Sequence, residues 1–191
     1  DAMRERVQAI LPEGIEIELD ASYKAMFCYK SKNYALLGWD DRIALTGAAL
    51  KSRGLEPFQR RYMREHIELL LTDREAETDA LYERYVDDIE QHRLPMKDFA
   101  KREILSTSPA VYAEKLRNGE TKRSAAYDLV LNAKREYSQG DVVEFYVIGN
   151  RKNVSVVGNS RLLEDADPTV RDENIPYYLD KLQQLKKKFT L

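Results

Sequence analysis

The sequence predicts an α+β protein, a small antiparallel sheet followed by a mainly helical segment that carries a β-hairpin. Three observations support this. Runs of aromatic and aliphatic residues with short polar breaks fill positions 24–46. Apolar residues then recur at helical spacing from Leu55 onward. Near the end, Val-Val-Glu-Phe-Tyr-Val-Ile-Gly at 142–149 is followed by the turn-forming residues Asn150, Arg151, Lys152 and Asn153.

Residues 15–19, Ile-Glu-Ile-Glu-Leu, alternate with period two and predict a half-buried strand. Three more strands are predicted at 24–29, 34–39 and 42–46, a meander broken at Lys30-Ser31-Lys32-Asn33 and at Asp40-Asp41. Leu55, Phe58, Tyr62 and Leu69 fall near one stripe of a first long helix, with Arg60, Arg61 and Arg64 on its other faces. Leu81, Tyr85 and Ile89 recur every four positions in a second helix within 72–91, and Pro95 interrupts the helical pattern after it. Ser108-Pro109 reads as an N-cap followed by proline in the first turn, and Asn118-Gly119 as the matching stop. Residues 124–133 carry Ala125, Ala126, Leu129 and Val130 at helical spacing. The strand at 142–149 is predicted to pair with 153–157. Tyr178, Leu182, Leu185 and Phe189 mark a last helix, with Lys186, Lys187 and Lys188 in its final turn, where cations suit the helix dipole.

The chain has 191 residues, 43% of them hydrophobic and 34% charged. That length supports a real core, and two units are expected. No apolar run approaches the roughly 20 residues that span a bilayer, so no membrane partner is expected. The first residues lack the pattern of a secretory signal. Cys28 is the only cysteine, which rules out a disulfide within the chain and suggests a reducing, cytoplasmic setting. With two histidines, His66 and His92, zinc ligation of the usual kind is not available either. The net charge of −2 hides an asymmetry. Residues 22–64 hold nine basic and three acidic side chains, whereas 65–100 hold four basic and eleven acidic ones. One segment is suited to face a polyanion and the other to face water.

Lys32 and Tyr34 project from a break between strands, where a cation and an aromatic ring can follow a phosphate backbone or touch a groove. Nineteen residues beyond the lysine-tyrosine break come Arg53-Gly54-Leu55-Glu56 and then Arg60-Arg61. Glycine allows close backbone approach, and arginine offers a planar fork of donors.

In order, these blocks resemble the C-terminal part of the family B DNA polymerases. Glu16-Ile17-Glu18 with Tyr23, then Ser31-Lys32-Asn33-Tyr34, is similar to the family's Glu-x-Glu strand and Lys-Lys-Arg-Tyr motif, with Ser31 and Asn33 replacing the first lysine and the arginine. Gly54-Leu55-Glu56 followed by Arg60 resembles the Gly-x-Glu and paired arginines that open the family's first thumb helix, Gln59 standing in one arginine position. Ala126-Tyr127-Asp128-Leu129-Val130, Gly140-Asp141 with Tyr146-Val147-Ile148, and Asp172-Glu173-Asn174 with Tyr177-Tyr178 resemble later thumb segments.

The resemblance implies that residues 1–57 are the end of a palm and 58–191 a thumb. It also implies that the chain grips primer-template duplex alongside the remainder of a polymerase chain, wherever DNA is replicated or repaired. DNA contacts would come from Lys32, Tyr34, Arg53, Gly54, Arg60 and Arg61. The family's Tyr-x-Asp-Thr-Asp block, whose carboxylates hold the two magnesium ions of the reaction, does not occur here. No catalytic residue is therefore expected in this segment, and magnesium is expected only in the parent enzyme. Glu18 has two readings, a neighbour of those metals or a carboxylate on a solvated strand face. The alternative to a polymerase segment is a stand-alone nucleic-acid-binding or scaffold module of α+β type. A metal hydrolase built on Glu16, Glu18 and Asp20 lacks an adjacent histidine or nucleophile.

Overall fold

The computed structural model describes residues 2–51 and 54–189, and the chain divides into two compact units, 1–51 and 52–191. In the first unit, helix α1 (Ala2–Gln8) precedes strands β1 (Ala25–Lys30), β2 (Asn33–Leu37) and β3 (Ile43–Thr46) and the single turn α2 (Ala48–Lys51). The strands form one antiparallel sheet in the order β1-β2-β3. Burial alternates along β1, as period two requires. Ala35 and Leu37 of β2 and Leu50 of α2 are buried, and Ala35 pairs with Phe27 on one side and Leu45 on the other.

The segment 15–19 is not a strand. It has no ladder partner among the described residues. Instead the Gln8 side-chain amide serves it, with Nε2 donating to the Ile15 carbonyl at 2.7 Å and Oε1 accepting from the Ile17 amide at 2.9 Å. Alternation marks a suitable strand but supplies no neighbour to pair with.

The second unit joins a helical layer to a sheet. Helix α3 (Pro57–Leu71) starts with proline in its first turn, where the missing N–H costs nothing. It buries Phe58, Tyr62 and Ile67, and α4 (Thr78–Glu90) buries Leu81, Tyr85 and Ile89 against it, with the Tyr62 and Tyr85 rings edge to face at 5.4 Å. After α5 (Met96–Phe99) come β4 (Lys101–Ile104), α6 (Pro109–Arg117), α7 (Ala125–Leu131), β5 (Val142–Val147), β6 (Ser160–Leu162) and α8 (Ile175–Phe189). Helix α6 has the expected punctuation: Ser108 Oγ accepts from the Val111 amide at 3.3 Å, and Gly119 takes the left-handed φ of 73°.

The sheet has the order β4-β5-β6, all antiparallel. Strand β5 does not pair with 153–157, as expected from the turn residues; its partner is β6, with Phe145 opposite Leu162. Asn174 explains the difference. Its Nδ2 donates to the carbonyls of Ile148 and Arg151, tying down the backbone where a tight hairpin would close. Val156 and Val157 pack instead against the core of Leu105, Ala126, Val130, Val143, Phe145 and Leu162. No helix among the described residues is long and apolar enough to cross a membrane.

Two polar ties close the second unit. Glu173, almost wholly buried, accepts from Arg171 and is bonded to His92 Nδ1 at 2.9 Å, while Arg171 also donates to the Leu94 carbonyl. Burial alone would raise the Glu173 carboxyl, but these bonds outweigh it and hold the group below its ordinary value. The Tyr178 hydroxyl accepts from the Val147 amide at 2.7 Å and donates to the Phe99 carbonyl at 3.0 Å. Tyr178→Phe keeps the ring but strands both backbone groups in the core, so we expect a loss of about 2 to 3 kcal/mol in urea unfolding; an unchanged stability would mean the tie is dispensable.

Candidate nucleic-acid interface

In the first unit, Lys32 lies in the turn between β1 and β2 and is exposed, while Tyr34 is half-buried on β2 opposite Cys28 and Thr46. Directly opposed residues share a sheet face, so Tyr34 stands on the face that carries Met26 and Leu36. Lys32 has a φ of 61°, a left-handed conformation uncommon for a residue with a side chain. Glu18 is exposed on the segment 15–19, outside any sheet.

In the second unit, a cleft of about 460 Å³ opens at the start of α3. Gly54, Leu55, Glu56 and Gln59 form one wall, Lys101 and Glu103 of β4 another, and Arg123 with Ser124 a third. Phe145 and Val147 line it from β5. Helix α8 closes it with Tyr177, Lys181, Gln184 and Lys188, positions spaced four, three and four apart and therefore on one helical face. Lys101 pairs with Glu103 at 2.7 Å, Arg123 with Asp128 at 2.7 Å, and the Lys181 ammonium lies 5.2 Å from the Tyr177 ring centroid. Four cations thus line one concavity against two carboxylates, Glu56 and Glu103.

Glu56 sits in the wall of this cleft and is buried. Burial pushes its carboxyl up from the ordinary value, while its own backbone amide and the charges of Lys181, Lys101 and Arg60 pull it part of the way back. Gln59 locks the same corner: its Oε1 accepts from the Glu56 amide at 3.3 Å, and its Nε2 donates to the Lys181 carbonyl at 3.3 Å, joining α3 to α8.

The residues expected at a DNA surface fall in different settings. Gly54 lines the cleft. Arg60 is exposed on the first turn of α3 and acts on Glu56 through its charge. Arg61 is held by Asp98 at 2.8 Å, an ion pair with a buried carboxylate that fixes α3 to α5. Arg53 lies outside the described residues. Sequence reading missed Lys101, Arg123, Lys181 and Lys188. A signal existed only on α8, where the polar stripe 177-181-184-188 runs beside the apolar stripe 178-182-185-189. Among the described residues no group of three or more histidine, cysteine, aspartate or glutamate side chains is placed to hold a metal ion.

The sequence matches the profile of DNA polymerase family B over residues 1–188. The chain belongs to the family B DNA polymerases. Its fold is similar to the structure of the family B DNA polymerase from the hyperthermophilic archaeon Pyrobaculum calidifontis, with a TM-score of 0.74 at 18% identity. The likeness covers 99% of this family B chain and 24% of the archaeal one, so the chain spans about a quarter of that polymerase. No curated protein sequence matches it.

The state of Glu56 gives a pH dependence with a definite sign. An acid whose folded value is raised favours folding in its protonated form, so its effect is favourable below about 4.5 and is lost as pH rises through the raised value. Glu56→Gln keeps an acceptor at the helix start and cannot ionise. Measured by urea unfolding from pH 4 to 8, the variant should be at least as stable as the parent at pH 8 and lose that advantage at pH 4; the opposite trend would contradict a desolvated carboxyl.

Proposed function

We propose that this chain is the end of the palm and the thumb of a family B DNA polymerase, and that it grips primer-template duplex while nucleotides are added. The observation that carries the reading is the cleft of the second unit, where Lys101, Arg123, Lys181 and Lys188 converge beside the Gly54-Leu55-Glu56 block. Cations so gathered hold phosphates whatever the base sequence, which suits an enzyme that must follow any template. Arg60, exposed at the start of α3 and acting on Glu56 in the cleft wall, adds to the same positive field. Lys32 and Tyr34 would meet the minor-groove side of the nascent duplex, where correct pairs present acceptors in similar places. Mispairs displace those acceptors, so one lysine would sense pairing without reading sequence.

The magnesium ions implied by the family find no fitting ligand set among the described residues, and no chemical step is assigned to this chain. Its part is to position the duplex for carboxylates of the kind found in the family's Tyr-x-Asp-Thr-Asp block. The remainder of a polymerase chain is thus its proposed partner, together with DNA.

The test is duplex binding at increasing salt, with primer extension as its second arm. The chain should bind weakly, and Lys101→Ala with Lys181→Ala should weaken binding by about tenfold and reduce the salt slope by roughly two. Salt-independent affinity, or variants that bind like the parent, would overturn the grip. With magnesium and all four nucleotides the clean chain should extend no primer; extension would show catalytic groups that the reading denies.

A further inference from the structure

We infer that Asn33 and Gly47 are positioning residues for Lys32, a brace that fixes the lysine before DNA arrives. The inference rests on the proposed reading of Lys32 as a DNA contact, and it concerns the first unit alone.

Lys32 occupies a left-handed backbone conformation, with φ of 61°, in the two-residue break between β1 and β2. A residue with a Cβ stays there only when its surroundings over-determine it. Asn33 supplies the constraint from one side. Its Nδ2 donates to the Ser31 carbonyl at 2.9 Å, closing the turn across Lys32, and its Oδ1 accepts from the Ala49 amide at 2.8 Å, fastening the turn to the start of α2. Gly47 supplies it from the other. At φ of 92°, its backbone lies so close that a Cβ there would overlap the Lys32 carbonyl oxygen and the Asn33 side-chain amide. The lysine backbone is held between a side-chain clamp and a close-packed glycine.

Other cations of this sheet are engaged, Lys24 and Arg42 at the end away from the turn and Lys30 beside it. Lys24 pairs with Asp41 at 2.5 Å and Arg42 with Asp40 at 3.5 Å, while Lys30 lies 5.1 Å from the Tyr29 ring centroid. Lys32 is exposed and makes no ion pair among the described residues. A cation kept unpaired on a strained, doubly anchored backbone is placed to meet an anion from outside. Rigid placement matters for that task, because ordering a free lysine side chain and its turn at the moment of binding would subtract from affinity.

The experiment titrates the full chain with short primer-template duplex over a salt series, comparing the parent with K32A, N33A, G47A and the double variant K32A/N33A. Circular dichroism and hydrogen exchange at the Ala49 amide report folding and the clamp. K32A should weaken binding about fivefold and reduce the salt slope by about one. N33A removes no charge, so a loss of at least half that size, with a smaller salt slope, would report a misplaced lysine and not a missing one. In the K32A background N33A should add nothing, since its effect passes through Lys32. G47A, which keeps the asparagine but crowds its side-chain amide and the Lys32 carbonyl, should reproduce N33A and carries the same comparison if N33A unfolds. Binding like the parent by N33A and G47A, with K32A weakened, would overturn the brace and leave the DNA role of Lys32 standing. Equal losses from N33A with and without Lys32 would also overturn it, as general damage. Parent-like binding by K32A would overturn the DNA role of Lys32 itself.

Discussion

The Tyr178 hydroxyl sets the geometry of the second unit. One oxygen on α8 accepts from the amide of Val147 in β5 and donates to the carbonyl of Phe99 at the end of α5. Its ring is fully buried between Phe58 and Phe99, with centroids at 5.9 and 4.8 Å. Helix, strand and connecting turn are thereby fixed to one point. The position of α8 decides which of its residues face the cleft, and with Tyr178 inward the neighbouring stripe of Tyr177, Lys181, Gln184 and Lys188 must line it. Gln59 bonds the Lys181 carbonyl from α3, so the two long helices that frame the cleft are tied where its charge is concentrated.

The carboxylates of this unit fall into two settings. Asp87 and Asp88 of α4 engage Arg93 at the surface, and exposed pairs of that kind contribute little to stability. Buried carboxylates behave differently. Glu173 is held low by Arg171 and His92 and joins the approach to α8 to the loop after α4. Glu56 is pushed up by burial beside Lys101 and Lys181, which puts a desolvated acid in the wall of a basic concavity. A net charge of −2 leaves room for an anion-binding surface because the cleft gathers four cations against two carboxylates.

Much of this was legible in the sequence, for reasons that differ by element. Helix α6 announced itself through Ser108-Pro109 and Gly119, because caps are local chemistry. The stripe of α8 was plain because Tyr178, Leu182, Leu185 and Phe189 all bury. The segment 15–19 had the right alternation and no partner, and β6 lay beyond the expected turn because Asn174 held the backbone after β5. Strand β4 is four residues long and was not expected. The cleft was hidden because it gathers residues from β4, the approach to α7 and α8, which no local pattern connects. Asn33 read as a departure from a motif, whereas in the fold its amide closes the Lys32 turn. The order of motifs identified the family even though the fold match carries 18% identity. Spacing of special residues outlasts similarity of the residues between them.

Hydrogen exchange of the full chain with and without duplex DNA at low salt is the most direct measurement of the grip. Protection should gather on the walls of the cleft, at 54–59, 101–103, 123–125 and 177–188. Protection confined to the acidic face of α4, or none anywhere at saturating DNA, would contradict it.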